Sequence, residues 1–131
     1  SKELKDNIEL LPGKKIIFTN GDEKWAKKIL YALGINNSVE KIFDIIKSDY
    51  IPKPQKKAYS NMIEMCKVNP KECIFFEDTK INLLEAHNFG MVTIHIDEKF
   101  DYEKKYELEH FVDFKFKSIE FALKTINKHL K

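Results

Sequence analysis

Arginine is absent, since all 23 members of the Lys+Arg class are lysines. Without a guanidinium fork, any anion this chain holds must be held by a lysine point charge, a hydroxyl or backbone amides. We read the bias as genome composition. Excess charge of one sign is lacking too, because 21 acidic residues leave a formal net charge of +2. Acids and lysines are interspersed, so there is no basic footprint for nucleic acid. Cysteine is scarce. Cys66 and Cys73 show no framework or metal-ligand spacing, and two reduced thiols in a cytoplasmic protein are the expectation. No apolar run is long enough to span a bilayer, so no membrane partner is expected.

A chain of 131 residues is one domain by size, residues 1–131, and can bury about two-thirds of its unfolded surface. Its most informative stretch is residues 73–96. Cys73, Ile74, Phe75 and Phe76 are a short apolar run of the kind buried on both faces of a parallel sheet, and Glu77 and Asp78 stop it with two carboxylates. Asn82, Leu83, Leu84, Ala86 and His87 follow at helical spacing, Gly90 closes the helix, and residues 92–96 resume a β-branched run. This is a right-handed βαβ unit, with both acids at a strand's carboxyl end where ligands of open α/β sheets gather.

The same plan recurs along the chain. Residues 1–11 carry Leu4, Ile8 and Leu11 at helical spacing and stop at Pro12-Gly13. Ile16, Ile17 and Phe18 form a buried strand that ends in Thr19-Asn20-Gly21-Asp22. Trp25, Ile29, Leu30 and Leu33 then make the apolar face of a helix closed by Gly34, with Trp25 in the core beside Phe18, Phe75 and Phe76. Residues 39–46 read as a helix and a short strand with Asp44 at the junction, the boundary left open. Ile51-Pro52-Lys53-Pro54 is expected to be extended, because the residue before a proline avoids the helical region. A helix with Ala58, Tyr59, Met62, Ile63, Met65 and Cys66 inward follows. Residues 97–110 form a surface excursion with some helix, 111–114 a last strand, and 119–126 a terminal helix. The alternation predicts an α/β fold, a doubly wound, mostly parallel sheet in three α/β/α layers.

Three strand-end features carry chemistry, and each has a plainer reading. Thr19-Asn20-Gly21 offers a hydroxyl and free amides at a helix start, either a phosphate cradle or an ordinary capping turn. Lys53 sits between two prolines, either placed for an anion or riding on a rigid surface linker. Glu77 and Asp78, with Asn82 a turn later, suit a hard divalent cation such as Mg2+, or else an acidic cap on a helix dipole. His87 is read as packing and His95 is left open.

Taken in order, IIFTNGD, IPKPQ and FFEDTKINLLEAHNFGMVT resemble the second, third and fourth motifs of the haloacid dehalogenase-like hydrolases, a superfamily with a Rossmann-like core. The paired acids, Asn82-Leu83 and the run from Ala86 to Met91 resemble the pyrimidine 5′-nucleotidase-like members. The resemblance implies that Thr19, Asn20 and Gly21 bind a phosphoryl group and that Lys53 neutralises it. Asp78 and Glu77 would then hold Mg2+, with Asn82 supporting their loop. The implied activity is phosphoryl transfer from a small phosphomonoester, a nucleoside 5′-monophosphate being one candidate.

The family's first motif, a strand ending in Asp-x-Asp-x-Thr or Ser, supplies its nucleophile, and this sequence has no such motif. The helical cap that follows it is also missing. The resemblance therefore implies an incomplete core, the carboxy-terminal part of a longer enzyme, inactive by itself. It also implies a mid-sheet slot between the strands ending at Thr19 and Glu77. That slot would be filled by an amino-terminal segment, by strand swapping in a homo-oligomer, or by re-pairing of its two neighbours. Two rivals are a non-catalytic α/β module that binds a phosphoryl ligand or partner protein, and a receiver-like signalling domain.

Overall fold

The computed structural model describes residues 1–130. In chain order the elements are α1 (Lys2–Leu10), β1 (Ile16–Phe18), α2 (Glu23–Ala32), β2 (Lys41–Phe43), α3 (Lys56–Cys66), β3 (Ile74–Glu77), α4 (Leu83–Asn88), β4 (Val92–Ile96), β5 (Phe114–Phe116) and α5 (Ile119–His129). Side-chain caps start the helices where the sequence offers them. Asp22 accepts from the Trp25 N–H at 2.7 Å and Ser118 from the Phe121 N–H at 3.1 Å, each cap worth about 1 kcal/mol.

All strand pairs are parallel, and alternation along each strand sends successive side chains to opposite faces. Phe18, Phe43 and Phe75 go to one face, where they pack with Ala58, Tyr59, Met62 and Cys66 of α3 and Ala86 of α4. Ile17, Ile42 and Phe76 go to the other, among Leu4 of α1, Ala26 and Leu30 of α2 and Leu123 of α5. The result is a three-layer α/β/α core, and burying a side chain such as Phe43 contributes about 1.5–3 kcal/mol.

The sheet, however, is in two parts. β1 pairs with β2, and β3, β4 and β5 pair in that order, while no backbone hydrogen bond joins β1 to β3 among the described residues. Thr19 N–H donates to the Phe43 carbonyl at 3.0 Å and Val92 N–H to the Cys73 carbonyl at 3.0 Å. By the alternation of a parallel ladder, Ile16 and Phe18 on β1 and Ile74 and Phe76 on β3 turn their backbone groups the other way, towards each other. Exposure agrees. A mid-sheet parallel strand is buried on both faces, yet residues 16–18 are only half-buried and Ile74 is 41% exposed. The two neighbours of the slot do not re-pair.

Four local expectations change. Trp25 lies outside the core, 59% exposed, because α2 turns its small Ala26 and Leu30 to the sheet and leaves Trp25, Ile29 and Leu33 as an outer stripe. Residues 39–46 contain a strand and turns without a helix, since Asp44 is buried and accepts from the Glu23 and Lys47 amides, both at 2.9 Å. The chain turns at Lys53 instead of running extended. There Gln55 N–H donates to the Pro52 carbonyl at 3.0 Å, and the Lys53–Pro54 peptide is cis. Residues 97–110 are turns without helix, and the last strand starts at Phe114, because Asp113 is used to bracket Thr93, whose N–H it accepts at 2.9 Å.

Candidate active site

Thr19, Asn20 and Gly21 lie just beyond the carboxyl end of β1, Glu77, Asp78 and Asn82 at or beyond that of β3, and Lys53 joins the two ends. Its ammonium donates to the Phe18 carbonyl at 2.8 Å and to Glu77 Oε1 at 2.7 Å, with both charged side chains less than 10% exposed. The amine also stands 4.9 Å from the Phe18 ring centroid and 5.7 Å from that of Phe75, an aromatic floor that favours a cation. A buried ion pair is tolerated only when its remaining hydrogen-bonding capacity is met. Glu77 meets it. Oε1 also accepts from Asn82 Nδ2 at 3.2 Å, and Oε2 from the Thr79 N–H at 3.0 Å.

The loop that delivers Lys53 is built for the purpose. Asp49 and Tyr50 have φ of 52° and 60°, left-handed values that cost about 1–2 kcal/mol each for residues with a Cβ. Ser48 compensates by donating its hydroxyl to the Ile51 carbonyl at 2.7 Å, and Tyr50 N–H closes onto the Ile45 carbonyl at 2.8 Å. Local strain of this kind, held by surrounding bonds, is common near functional sites.

Glu77 and Asp78 divide their titration unequally. Burial alone would raise Glu77, but the hydrogen bond from Lys53, the contact with Asp78 and the Thr79 amide outweigh it and hold the carboxyl below the usual range. Asp78 is pushed up, first by its hydrogen-bonded contact with Glu77, then by partial burial and by the Glu77 charge. Glu77 is thus the fixed anion of the pair. Asp78 is the exposed carboxylate, facing solvent at the strand end.

Thr19 Oγ1 accepts from the Gly21 N–H at 3.0 Å, so the turn is stabilised by the hydroxyl assigned to phosphate, whose own proton remains available. A Cβ on Gly21 would lie 3.4 Å from that oxygen, which leaves little room for a side chain at this turn. Asn20 gives its side chain to the backbone of Lys53. His87 lies elsewhere, its ring 5.7 Å from that of His110.

Two contributors escape a reading of spacing. Tyr59, a core residue of α3, donates its hydroxyl to the Asn82 carbonyl, and burial first, then the Glu77 and Glu85 charges, push its pKa far up and keep it neutral. His95 lies beside Glu77 in the β3–β4 register and places Nε2 3.2 Å from the Asp78 carbonyl. Its place at the end of a strand next to the acidic one was the available signal.

Asp78 and Glu77 offer the oxygen donors that suit Mg2+, an ion that keeps several waters and needs only one or two carboxylates. Among the described residues no group of three or more His, Cys, Asp or Glu side chains could enclose a metal. No described helix is long and apolar enough to cross a membrane.

Comparison with solved structures gives the fold a context. The L-2-haloacid dehalogenase of Xanthobacter autotrophicus superposes with a TM-score of 0.75 at 17% identity, over 93% of this chain and 58% of that one. A HAD phosphatase from Thermococcus onnurineus gives 0.73 at 22% identity, over 95% and 55%. A dehalogenase solved with an intermediate complex gives 0.77 at 20%, again over 95% and 55%. The chain thus spans little more than half the length of these proteins. No curated protein matches the sequence. The family model described as haloacid dehalogenase-like hydrolase matches residues 2–90, which include β1, the Lys53 loop and the Glu77-Asp78 turn. The chain therefore belongs to the haloacid dehalogenase-like hydrolases.

Proposed function

We propose that this chain is the carboxy-terminal part of a Mg2+-dependent phosphatase acting on a small phosphomonoester, with a nucleoside 5′-monophosphate suggested by its nucleotidase-like fourth motif. The observation that carries the reading is the buried Lys53 ammonium, held between two strand ends beside paired acids. A lysine so fixed presents its charge without reorganising, which is how phosphoryl transfer is assisted electrostatically. The Thr19 hydroxyl proton and the Asn20 backbone amide would hold phosphate oxygens, and Gly21, whose N–H is given to Thr19 Oγ1, would shape the turn beside them. Asp78 would take Mg2+ directly and Glu77 through water, with Asn82 and Tyr59 fixing the loop behind them. Bound there, Mg2+ would offset charge on the phosphate oxygens.

The reading gives the slot between β1 and β3 an occupant. An apolar strand running parallel to both and ending in an aspartate would pair the backbone groups of Ile16, Phe18, Ile74 and Phe76. It would also bring the missing nucleophile to Lys53. We assign it to a segment amino-terminal to Ser1 and not to a swapped copy, since this chain spans only 58% and 55% of two solved relatives. By itself the chain is a phosphoryl-binding module without turnover. Asp22 favours this second state, because its carboxylate is committed to capping α2. Two free thiols suit the cytoplasm.

Titration calorimetry tests the metal assignment. Asp78→Asn should abolish the heat of Mg2+ binding, whereas His87→Ala, altering a residue packed on His110, should leave it nearly unchanged. Equal effects of the two substitutions would refute the assignment.

A further inference from the structure

The family resemblance puts Asn20 on the phosphate, but its side chain is occupied elsewhere. Asn20 Oδ1 accepts from the Lys53 N–H at 2.8 Å, and Asn20 Nδ2 donates to the Lys53 carbonyl at 3.2 Å. Pro52 and Pro54 have no N–H, so Lys53 supplies the one backbone donor of residues 52–54, and Asn20 takes it. The amine of the same lysine bonds to the Phe18 carbonyl, two residues before Asn20. One strand end therefore grips Lys53 at both its backbone and its amine.

We propose that Asn20 is a positioning residue, which locks the Lys53 backbone to the end of β1 so that the ammonium spans the two halves of the sheet. A lysine side chain is long and rich in rotamers, and anchoring its backbone removes the registers in which the amine misses Glu77. Asparagine is the side chain for this task. Its amide offers an acceptor and a donor side by side, as a paired strand would, whereas aspartate offers acceptors alone and would face the Lys53 carbonyl with a second oxygen. Of Asn20, only the backbone amide is left for an anion.

The test needs no phosphate. The purified chain and its variants are acetylated briefly with acetic anhydride, and the extent at each lysine is read by peptide mass mapping. Asn20→Ala should speed labelling of Lys53 roughly tenfold, as expected when two hydrogen bonds are lost. Asn20→Asp, which keeps one acceptor, should fall between Asn20→Ala and the unaltered chain. Lys115, paired with Asp97 at 3.4 Å and remote in sequence, should not change in either variant. Unchanged Lys53 labelling in Asn20→Ala overturns the proposal. So does equal acceleration at Lys53 and Lys115, which would mean that the fold, not the lysine, had loosened. If Asn20→Ala does not fold, Asn20→Asp decides by the same comparison. The catalytic meaning of Asn20 rests on the phosphatase reading. Failure of Mg2+ binding with a normal Lys53 response would remove that reading and leave the positioning intact.

Discussion

Lys53→Ala is expected to destabilise the fold by about 3–5 kcal/mol, the cost of stranding one partner of a buried ion pair. The charge left behind is Glu77, whose side chain is 7% exposed and whose Oε1 would lose its cationic partner. Lys53→Met combined with Glu77→Gln should cost far less, because replacing both charges removes the desolvation penalty along with the attraction. The size of the loss depends on pH with a definite sign. Glu77 has a carboxyl held below its ordinary 4.5, so its contribution is fully present above that value and is lost as pH falls through the lower folded value. Urea unfolding at pH 7 and again below pH 4 should therefore show the deficit of Lys53→Ala narrowing in acid. A deficit that stayed constant across that range would mean that the pair is not what Lys53 contributes.

The second large effect is a gain. A synthetic peptide of about five apolar residues, ending in Asp-x-Asp, has the length of a typical strand and the polarity the slot demands. Added to the chain, it should protect the Ile16, Phe18, Ile74 and Phe76 amides from hydrogen exchange, since those groups turn towards the unpaired side of β1 and β3. It should also confer Mg2+-dependent turnover on the chain. A scrambled peptide of the same composition should do neither. If the matched peptide leaves all four amides exchanging as before, the slot is closed and the assignment of its occupant is wrong.

Legibility followed the strength of local signals. β4 occupies residues 92–96 as read, because a β-branched run between a glycine stop and an aspartate has no competing interpretation. The final strand was displaced by three residues, because Asp113 serves Thr93 through a bond between residues 20 apart in sequence, which no local pattern reports. The size and spacing of Trp25 point to the core, whereas the helix face is chosen by how closely Ala26 lets α2 approach the sheet. In the site, residue types and strand-end placement were legible, but partners were not. Sequence gives no sign that Glu77, a candidate metal ligand, also binds Lys53, or that the side chain of Asn20, a candidate phosphate ligand, holds a backbone 33 positions away. The split sheet was legible only through the family, from the absence of a strand that its members place between β1 and β3. Its physical mark is the pair of facing, unbonded edges.

Hydrolysis of a generic aryl phosphate by the purified 131-residue chain, with and without Mg2+, decides whether this chain can turn over a phosphomonoester by itself. No Mg2+-dependent turnover is expected, because the lysine, the hydroxyl and the carboxylates proposed to hold metal have no nucleophile beside them. Turnover that disappears in Asp78→Asn would contradict it. Some carboxylate of this chain would then do the work assigned to the missing strand.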